Sequence, residues 1–242
     1  IIYTHSGSET TADTFTFTAS DNATGVLPLT TFSIGVTPIN DAPVITVPAA
    51  QTVDEDRSLA FSSTNSNRIT VSDPDIGSNP LTVTLAASLG SLTIGSAGGV
   101  QVTNNGQSSV TLIGNQAGVN TALNSLVYQG QPNANGPDTL TITADDGGQT
   151  GNPGQPALVR TVDITVNSIN DAPTLTAPTN ITLNEDATFA FTGANLVDAT
   201  DVDSAASPVS VTLTAAQGRL TLASLANLTF TNGTTNGSAN LT

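Results

Sequence analysis

Apolar and polar residues alternate with a period of two along most of the chain. Phe15/Phe17, Phe32/Ile34/Val36, Leu81/Val83/Leu85, Leu140/Ile142 and Val162/Ile164/Val166 each place apolar side chains on one face, with Thr, Ser, Gly or Asp on the other. Successive side chains of a strand point to opposite faces, so this pattern predicts half-buried strands. Val53, Leu59/Phe61, Ile69/Val71, Leu92/Ile94, Val100/Val102 and Val110/Leu112 predict shorter ones. Asn105-Gly106, Asn135-Gly136-Pro137 and Asp146-Gly147-Gly148 punctuate them as turns. One stretch departs from the pattern. Within 117–126, Val119, Ala122, Leu123 and Leu126 have i, i+3, i+4, i+7 spacing, which predicts one short helix. Many short strands with regular turns predict an all-β fold, an antiparallel sandwich of two sheets. Tyr3 and Tyr128 are expected to be core or corner residues of it.

The chain repeats itself. Pro38-Ile39-Asn40-Asp41-Ala42-Pro43 returns 130 residues later as Ser168-Ile169-Asn170-Asp171-Ala172-Pro173, and Asp54-Glu55-Asp56 as Asn184-Glu185-Asp186. Asp73-Pro74-Asp75 and Leu81-Thr82-Val83-Thr84-Leu85 return 128 residues later as Asp201-Val202-Asp203 and Val209-Ser210-Val211-Thr212-Leu213. Leu89-Gly90-Ser91-Leu92-Thr93-Ile94 matches Gln217-Gly218-Arg219-Leu220-Thr221-Leu222. The segment from Asp13 to Asp21 resembles that from Asp138 to Asp146, and Tyr3 matches Tyr128. Residues 1–40 therefore read as the tail of one repeat, 41–170 as a whole repeat, and 171–242 as the first part of another. This window is expected of a segment of something longer. It would also suit a head-to-tail assembly, in which the first forty residues of one chain complete the last repeat of the next.

Composition narrows the chemistry. With 4 Lys+Arg (all of them arginines) against 19 Asp+Glu, the chain carries a formal charge of -15. That excludes nucleic acid as a main partner, because phosphate backbones require a basic surface. It argues equally against docking on anionic lipid. The chain has no cysteine and a single histidine, His5. Disulfides, thiol catalysis and multi-histidine metal centres are thereby excluded within one chain. No apolar run approaches the ~18 residues of a membrane span, so no membrane insertion is expected. His5 beside Ser6 and Ser8 reads as a loop histidine, because a hydrolase needs a structured acid and an oxyanion site as well. Aromatic residues, on which glycosidase substrates stack, make up 4% of the chain. The chain is therefore not expected to be an enzyme. Sequons at Asn22, Asn180, Asn227, Asn232, Asn236 and Asn240 arise easily in so Thr- and Asn-rich a chain.

The Ile-Asn-Asp-Ala-Pro junction, the Asp-x-Asp pairs at 73/75 and 201/203, Glu55, and the run from Leu140 to Gly148 together resemble cadherin-like repeats. More narrowly they resemble the tandem repeats of large bacterial surface adhesins. The segment from Tyr3 to Glu9 resembles the related CSPG repeat of proteoglycan-type surface proteins. The resemblance covers the whole chain. It implies tandem antiparallel Greek-key β-sandwiches in a linear array, with one short helix per repeat and calcium at the joints, at the cell surface. A Leu-Asp-Arg-Glu motif, which supplies upstream acidic ligands in true cadherins, is missing, so one or two ions per junction are expected rather than three.

The carboxylates point to calcium on their own account. Fourteen of the 19 acidic residues fall in the repeated motifs. Gathered carboxylates repel one another unless they bind a cation or take up protons. Calcium accepts 6–8 oxygens from carboxylates, amides and carbonyls. By analogy with cadherins, Asn40 and Asp41 join Asp73, Asp75 and Asp145 or Asp146 at the joint before the full repeat. Asp21 belongs to that joint or to the one upstream. Asn170, Asp171, Asp201, Asp203 and Glu55 form the next joint, and Glu185, the counterpart of Glu55, completes the candidate ligands. The function expected is a calcium-stiffened spacer of an extracellular adhesin or filament, whose partners are neighbouring repeats. Two alternatives stand beside it. One is a fibre subunit that assembles into a homopolymer through its split repeats; the other is a module that binds a glycan or protein and should expose an aromatic or apolar patch.

Overall fold

The computed structural model describes residues 1–21, 25–148, 156–205 and 207–241. The sequon at Asn22 lies outside them. The chain divides into two units, Ile1–Ser168 and Ile169–Thr242. Among the described residues the fold is mostly β, with several sheets and one α-helix.

The first unit begins with a hairpin of β1 (Ala12–Phe17) and β2 (Thr30–Gly35), in which Phe15 stands opposite Phe32. There follow β3 (Val44–Thr46), β4 (Gln51–Asp54), β5 (Ser58–Phe61), β6 (Thr70–Ser72), β7 (Leu81–Ala86), β8 (Gly90–Ile94), β9 (Gln101–Thr103) and β10 (Ser109–Gly114). Helix α1 (Gln116–Leu123), β11 (Leu126–Gly130), β12 (Gly136–Asp145) and β13 (Leu158–Asn167) complete the unit. A six-stranded sheet runs in the order β4-β13-β12-β7-β10-β9, and a three-stranded sheet in the order β5-β11-β8. Leu81, Val83, Leu85, Leu140 and Ile142 of the larger sheet share one buried core with Phe61, Leu92, Leu126 and Tyr128 of the smaller. This is consistent with a β-sandwich. The strictly antiparallel expectation needs one correction: β4 runs parallel to β13 along its edge. Parallel neighbours need a long connection, and more than a hundred residues separate these two strands.

Helix α1 lies where the 3.6-residue spacing placed it, and buries Val119, Ala122 and Leu123. It stops before Leu126, which opens β11 instead. Asn115 caps the first turn by accepting the Gly118 N–H at 2.8 Å. Asn120 clamps the helix to β6: its Oδ1 accepts the Val71 N–H at 2.9 Å and its Nδ2 donates to the Val71 carbonyl at 2.7 Å.

In the second unit, β14 (Thr174–Thr176) pairs with β15 (Asp198–Thr200), and β16 (Leu213–Thr214) with β17 (Asn240–Leu241). The strand expected at 209–213 is realised only at its end, as β16. Its counterpart β7 is held on both sides, by β10 and by β12.

Candidate metal centre

Strands β12 and β13 are ten residues each and antiparallel, so they span roughly 30 Å between two poles. Asp146 follows the end of β12 at one pole. The chain leaves β13 at Asn167, beside Gly136, at the other.

Three carboxylates converge at the first pole. Oxygens of Asp73, Asp75 and Asp146 all lie within 4.8 Å of one another. Asp73 and Asp75 sit in the turn after β6, and the helix fixes that turn: the Asp73 N–H donates to Gln116 Oε1 at 2.7 Å. Asp73 Oδ1 accepts the N–H groups of Asp75 (3.2 Å) and Ile76 (3.0 Å), an Asx turn that aims the carboxylate inward. Asp146 is set by the glycines that follow it: Gly147 and Gly148 both have positive φ, and the Gly148 N–H returns to Asp146 Oδ1 at 2.9 Å.

The inter-repeat junction is tied into this group. Buried Asn40 donates through Nδ2 to Asp146 Oδ2 at 2.7 Å and to the Asp41 carbonyl at 3.0 Å. The Asp41 N–H donates to Asp75 Oδ2 at 3.0 Å.

Asp73 is only 6% exposed, and its Oδ2 is buried and receives no hydrogen bond. Burial pushes its carboxyl up to about 6, and the neighbouring Asp75 carboxyl adds to the rise against the pull of the Asp75 and Ile76 N–H groups. A buried anionic oxygen without a donor is costly, and a divalent cation among three carboxylates would remove that cost. The donors are all oxygens, which suits a hard cation such as calcium.

The second unit repeats this local wiring. Asn170 Nδ2 donates to the Asp171 carbonyl at 2.7 Å, the Asp171 N–H donates to Asp203 Oδ2, and the Asp203 N–H to Asp201 Oδ1 at 3.0 Å. Each bond is the counterpart of one made by Asn40, Asp41 and Asp75.

The remaining candidates lie elsewhere. Strand alternation turns Asp145 outward, where its Oδ1 accepts the Gly147 N–H at 2.8 Å, and it is not part of the carboxylate group. Asp21 is exposed, accepts the Gly25 N–H at 3.2 Å, and is also outside the group. Glu55 is buried at the opposite pole of the first unit, where its Oε2 accepts Asn135 Nδ2 at 3.2 Å and its N–H donates to the Asn167 carbonyl at 2.9 Å. Glu185, its counterpart in the second unit, is exposed.

Gln116, which holds the Asp73 turn, lies just before the stretch expected to be helical, and Asn120, which holds Val71, had no signal beyond its place in that stretch. A buried tyrosine–carboxylate pair also carried an overlooked signal, its repetition. Tyr128 donates to Asp138 Oδ2 at 2.9 Å, and Tyr3 to Asp13 Oδ2 at 2.8 Å.

No protein-family model matches the chain. No curated protein matches it either. One solved structure that it resembles is described as "Complete structure of manganese lipoxygenase of Gaeumannomyces graminis and partial structure of zonadhesin of Komagataella pastoris". The identity is 10% and the TM-score 0.28, over 64% of this chain and 56% of that one.

Proposed function

We propose that this chain is a segment of tandem, cadherin-like Greek-key repeats that bind calcium at their junctions and serve as a spacer in an extracellular adhesin or surface filament. The observation that carries the reading is the buried, unpartnered Asp73 Oδ2 beside Asp75 and Asp146, with Asn40 and Asp41 of the junction hydrogen-bonded into the same group. Asp73, Asp75 and Asp146 would hold the ion, with oxygens of Asn40 or Asp41 completing its shell. Bound calcium supplies positive charge that cancels the mutual repulsion of these carboxylates. The residues of this chain do the rest: the Asx turn presents Asp73, α1 holds that turn, and the junction is fastened to the pole of the sandwich that follows it. The role is mechanical and not enzymatic. The recurrence of the same hydrogen bonds at Asn170, Asp171 and Asp203 supports a second, equivalent junction.

Calorimetric titration with calcium and terbium luminescence test the reading. Sites of extracellular modules bind with dissociation constants of about 10⁻⁴–10⁻³ M. Asp73→Asn and Asp75→Asn are each expected to weaken binding at the first junction by about tenfold or more, as loss of a charged ligand should. Asp145→Asn is expected to leave binding unchanged. Absence of heat and luminescence at millimolar ion would overturn the proposal.

A further inference from the structure

Tension on a spacer enters and leaves a sandwich through its two chain connections. In the 41–168 sandwich these lie at opposite poles. The chain comes in at Asn40 and Asp41, bonded to Asp146 and Asp75, and goes out at Asn167. The first strand, β3, pairs with β6 over three residues only, from Val44 opposite Ser72 to Thr46 opposite Thr70. Behind it the incoming chain forms β4, which lies directly against the outgoing strand β13.

That pair is parallel, whereas every other strand pair among the described residues is antiparallel. Gln51 stands opposite Ile164, Thr52 opposite Thr165, Val53 opposite Val166 and Asp54 opposite Asn167. Both strands therefore run towards the exit pole. Tension draws β4 back by its Gln51 end and β13 forward by its Asn167 end, so the two are made to slide along their common axis. The bonds of a parallel ladder are evenly spaced, and sliding stretches them together. A pair parted from one end yields one bond at a time.

Both ends of β4 are fastened. At its start, Gln51 Oε1 accepts from the buried Asn67 Nδ2 at 3.0 Å. In its middle, Val53 packs against the core that holds Val166. At its end comes the repeated Asp54-Glu55-Asp56 motif. Asn167 Nδ2 donates to Asp54 Oδ1 at 3.0 Å, and the Glu55 N–H donates to the Asn167 carbonyl at 2.9 Å. Asn135 Nδ2 donates to the buried Glu55 Oε2 at 3.2 Å, and the Asn133 N–H to Asp56 Oδ1 at 3.1 Å. The turn is thus tied to the last residue of β13 and to the loop ahead of β12.

We propose that the β4–β13 pair is a shear clamp that carries tension through the 41–168 sandwich, with the Asp54-Glu55-Asp56 turn as its lock at the exit pole. Its use rests on the spacer reading but not on calcium: Asp73, Asp75 and Asp146 take no part in it, and a chain that bound no calcium would keep it.

Single-molecule pulling of the full chain in EDTA tests the clamp. The natural chain lacks cysteine, so paired thiols fix where the force acts. Thr37→Cys/Ser168→Cys, at two exposed positions, loads the sandwich from entry to exit; Arg57→Cys/Ser168→Cys, also exposed, pulls β4 and β13 apart from their exit-pole ends. Forced unfolding follows the unfolding rate and not the equilibrium stability, so direction should decide the outcome. At one loading rate the entry-to-exit force is expected to exceed the peeling force by about twofold or more, because the ladder bonds are loaded together. Two further variants separate clamp from stability. Asn167→Ala removes one exposed bond at the lock and should lower the entry-to-exit force while changing the melting temperature little. Gly90→Ala crowds the smaller sheet against Tyr128 and should lower the melting temperature more and the force less. Equal forces in the two directions, or a force that follows the melting temperature across the two variants, would overturn the proposal.

Discussion

Asp138 and Asp73 are both buried carboxylates, yet their surroundings push them in opposite directions. Burial alone would raise Asp138, but the N–H groups of Leu89, Ser88 and Thr139 and the Tyr128 hydroxyl outweigh it and hold the carboxyl below its ordinary value. Asp73 has donors on Oδ1 only, so burial and Asp75 prevail. The Asp138 shift fixes a pH dependence. A carboxyl with a lower value in the folded than in the unfolded chain stabilises the fold above its unfolded value of about 3.9, and that contribution is lost as pH falls towards the folded value. Urea midpoints measured from about pH 6 down to pH 2 should therefore fall more steeply for the natural chain than for Asp138→Asn, which has no such titration. At neutral pH the same variant should cost roughly 2–4 kcal/mol, because an amide cannot accept at both former oxygens and buried donors lose their partner. Parallel pH curves for the two proteins would show that the Asp138 carboxylate does not act this way.

Among the elements, α1 and the β8–β11 pair do most to place the site and the core. Gln116 and Asn120 hold the Asp73 backbone and β6. Asn120→Ala should lower stability by about 1–2 kcal/mol through its lost hydrogen bonds. It should also weaken terbium binding although it touches no carboxylate, since the Asp73 turn begins two residues after Val71. Unchanged terbium binding in a destabilised variant would mean that the turn holds itself. Gly90 faces a different constraint. A Cβ there would meet the Gln129 carbonyl oxygen at 2.6 Å and the Tyr128 ring at 2.6 Å. Gly90→Ala should cost about 1–3 kcal/mol in urea unfolding, as overpacking of a filled core does. The strands facing that core were legible because alternation is strict where one sheet face is buried, as in Leu81/Val83/Leu85 and Leu140/Ile142. Strand β11 was hidden because Leu126 falls in phase with the helix before it, and sequence spacing cannot show where the helix stops. Strand β3, which is three residues long and directly follows Pro43, is too short to alternate visibly. Repetition pointed to Asp73 and Asp75 with Asn40 and Asp41, and to Asp145 or Asp146. It could not choose between Asp145 and Asp146, which depends on the phase of β12 at its last residue.

For the whole molecule, the consequence of a cation at the junction follows from what it would connect. Asn40 and Asp41 belong to the chain that enters the sandwich, and Asp73, Asp75 and Asp146 to its pole. Without a cation the junction is held there by single hydrogen bonds such as Asn40 to Asp146 and Asp41 to Asp75, against the repulsion of neighbouring carboxylates. With calcium at about a hundredfold over its dissociation constant, linkage adds ~2.7 kcal/mol to the bound state. The core of the sandwich contains none of these groups, so chelation should loosen the junctions and leave the sheets formed. EDTA is therefore expected to lower the melting temperature modestly and to keep the far-ultraviolet β signal. It should also speed proteolysis within residues 38–43 and broaden the distance distribution in small-angle scattering. Asp73→Asn should reproduce the faster cleavage at 38–43 in the presence of calcium, and it should leave cleavage at 168–173, beside the second set of carboxylates, as in the natural chain. If EDTA changes neither the scattering profile nor the cleavage rate, the carboxylates at the junction do not hold it through a metal.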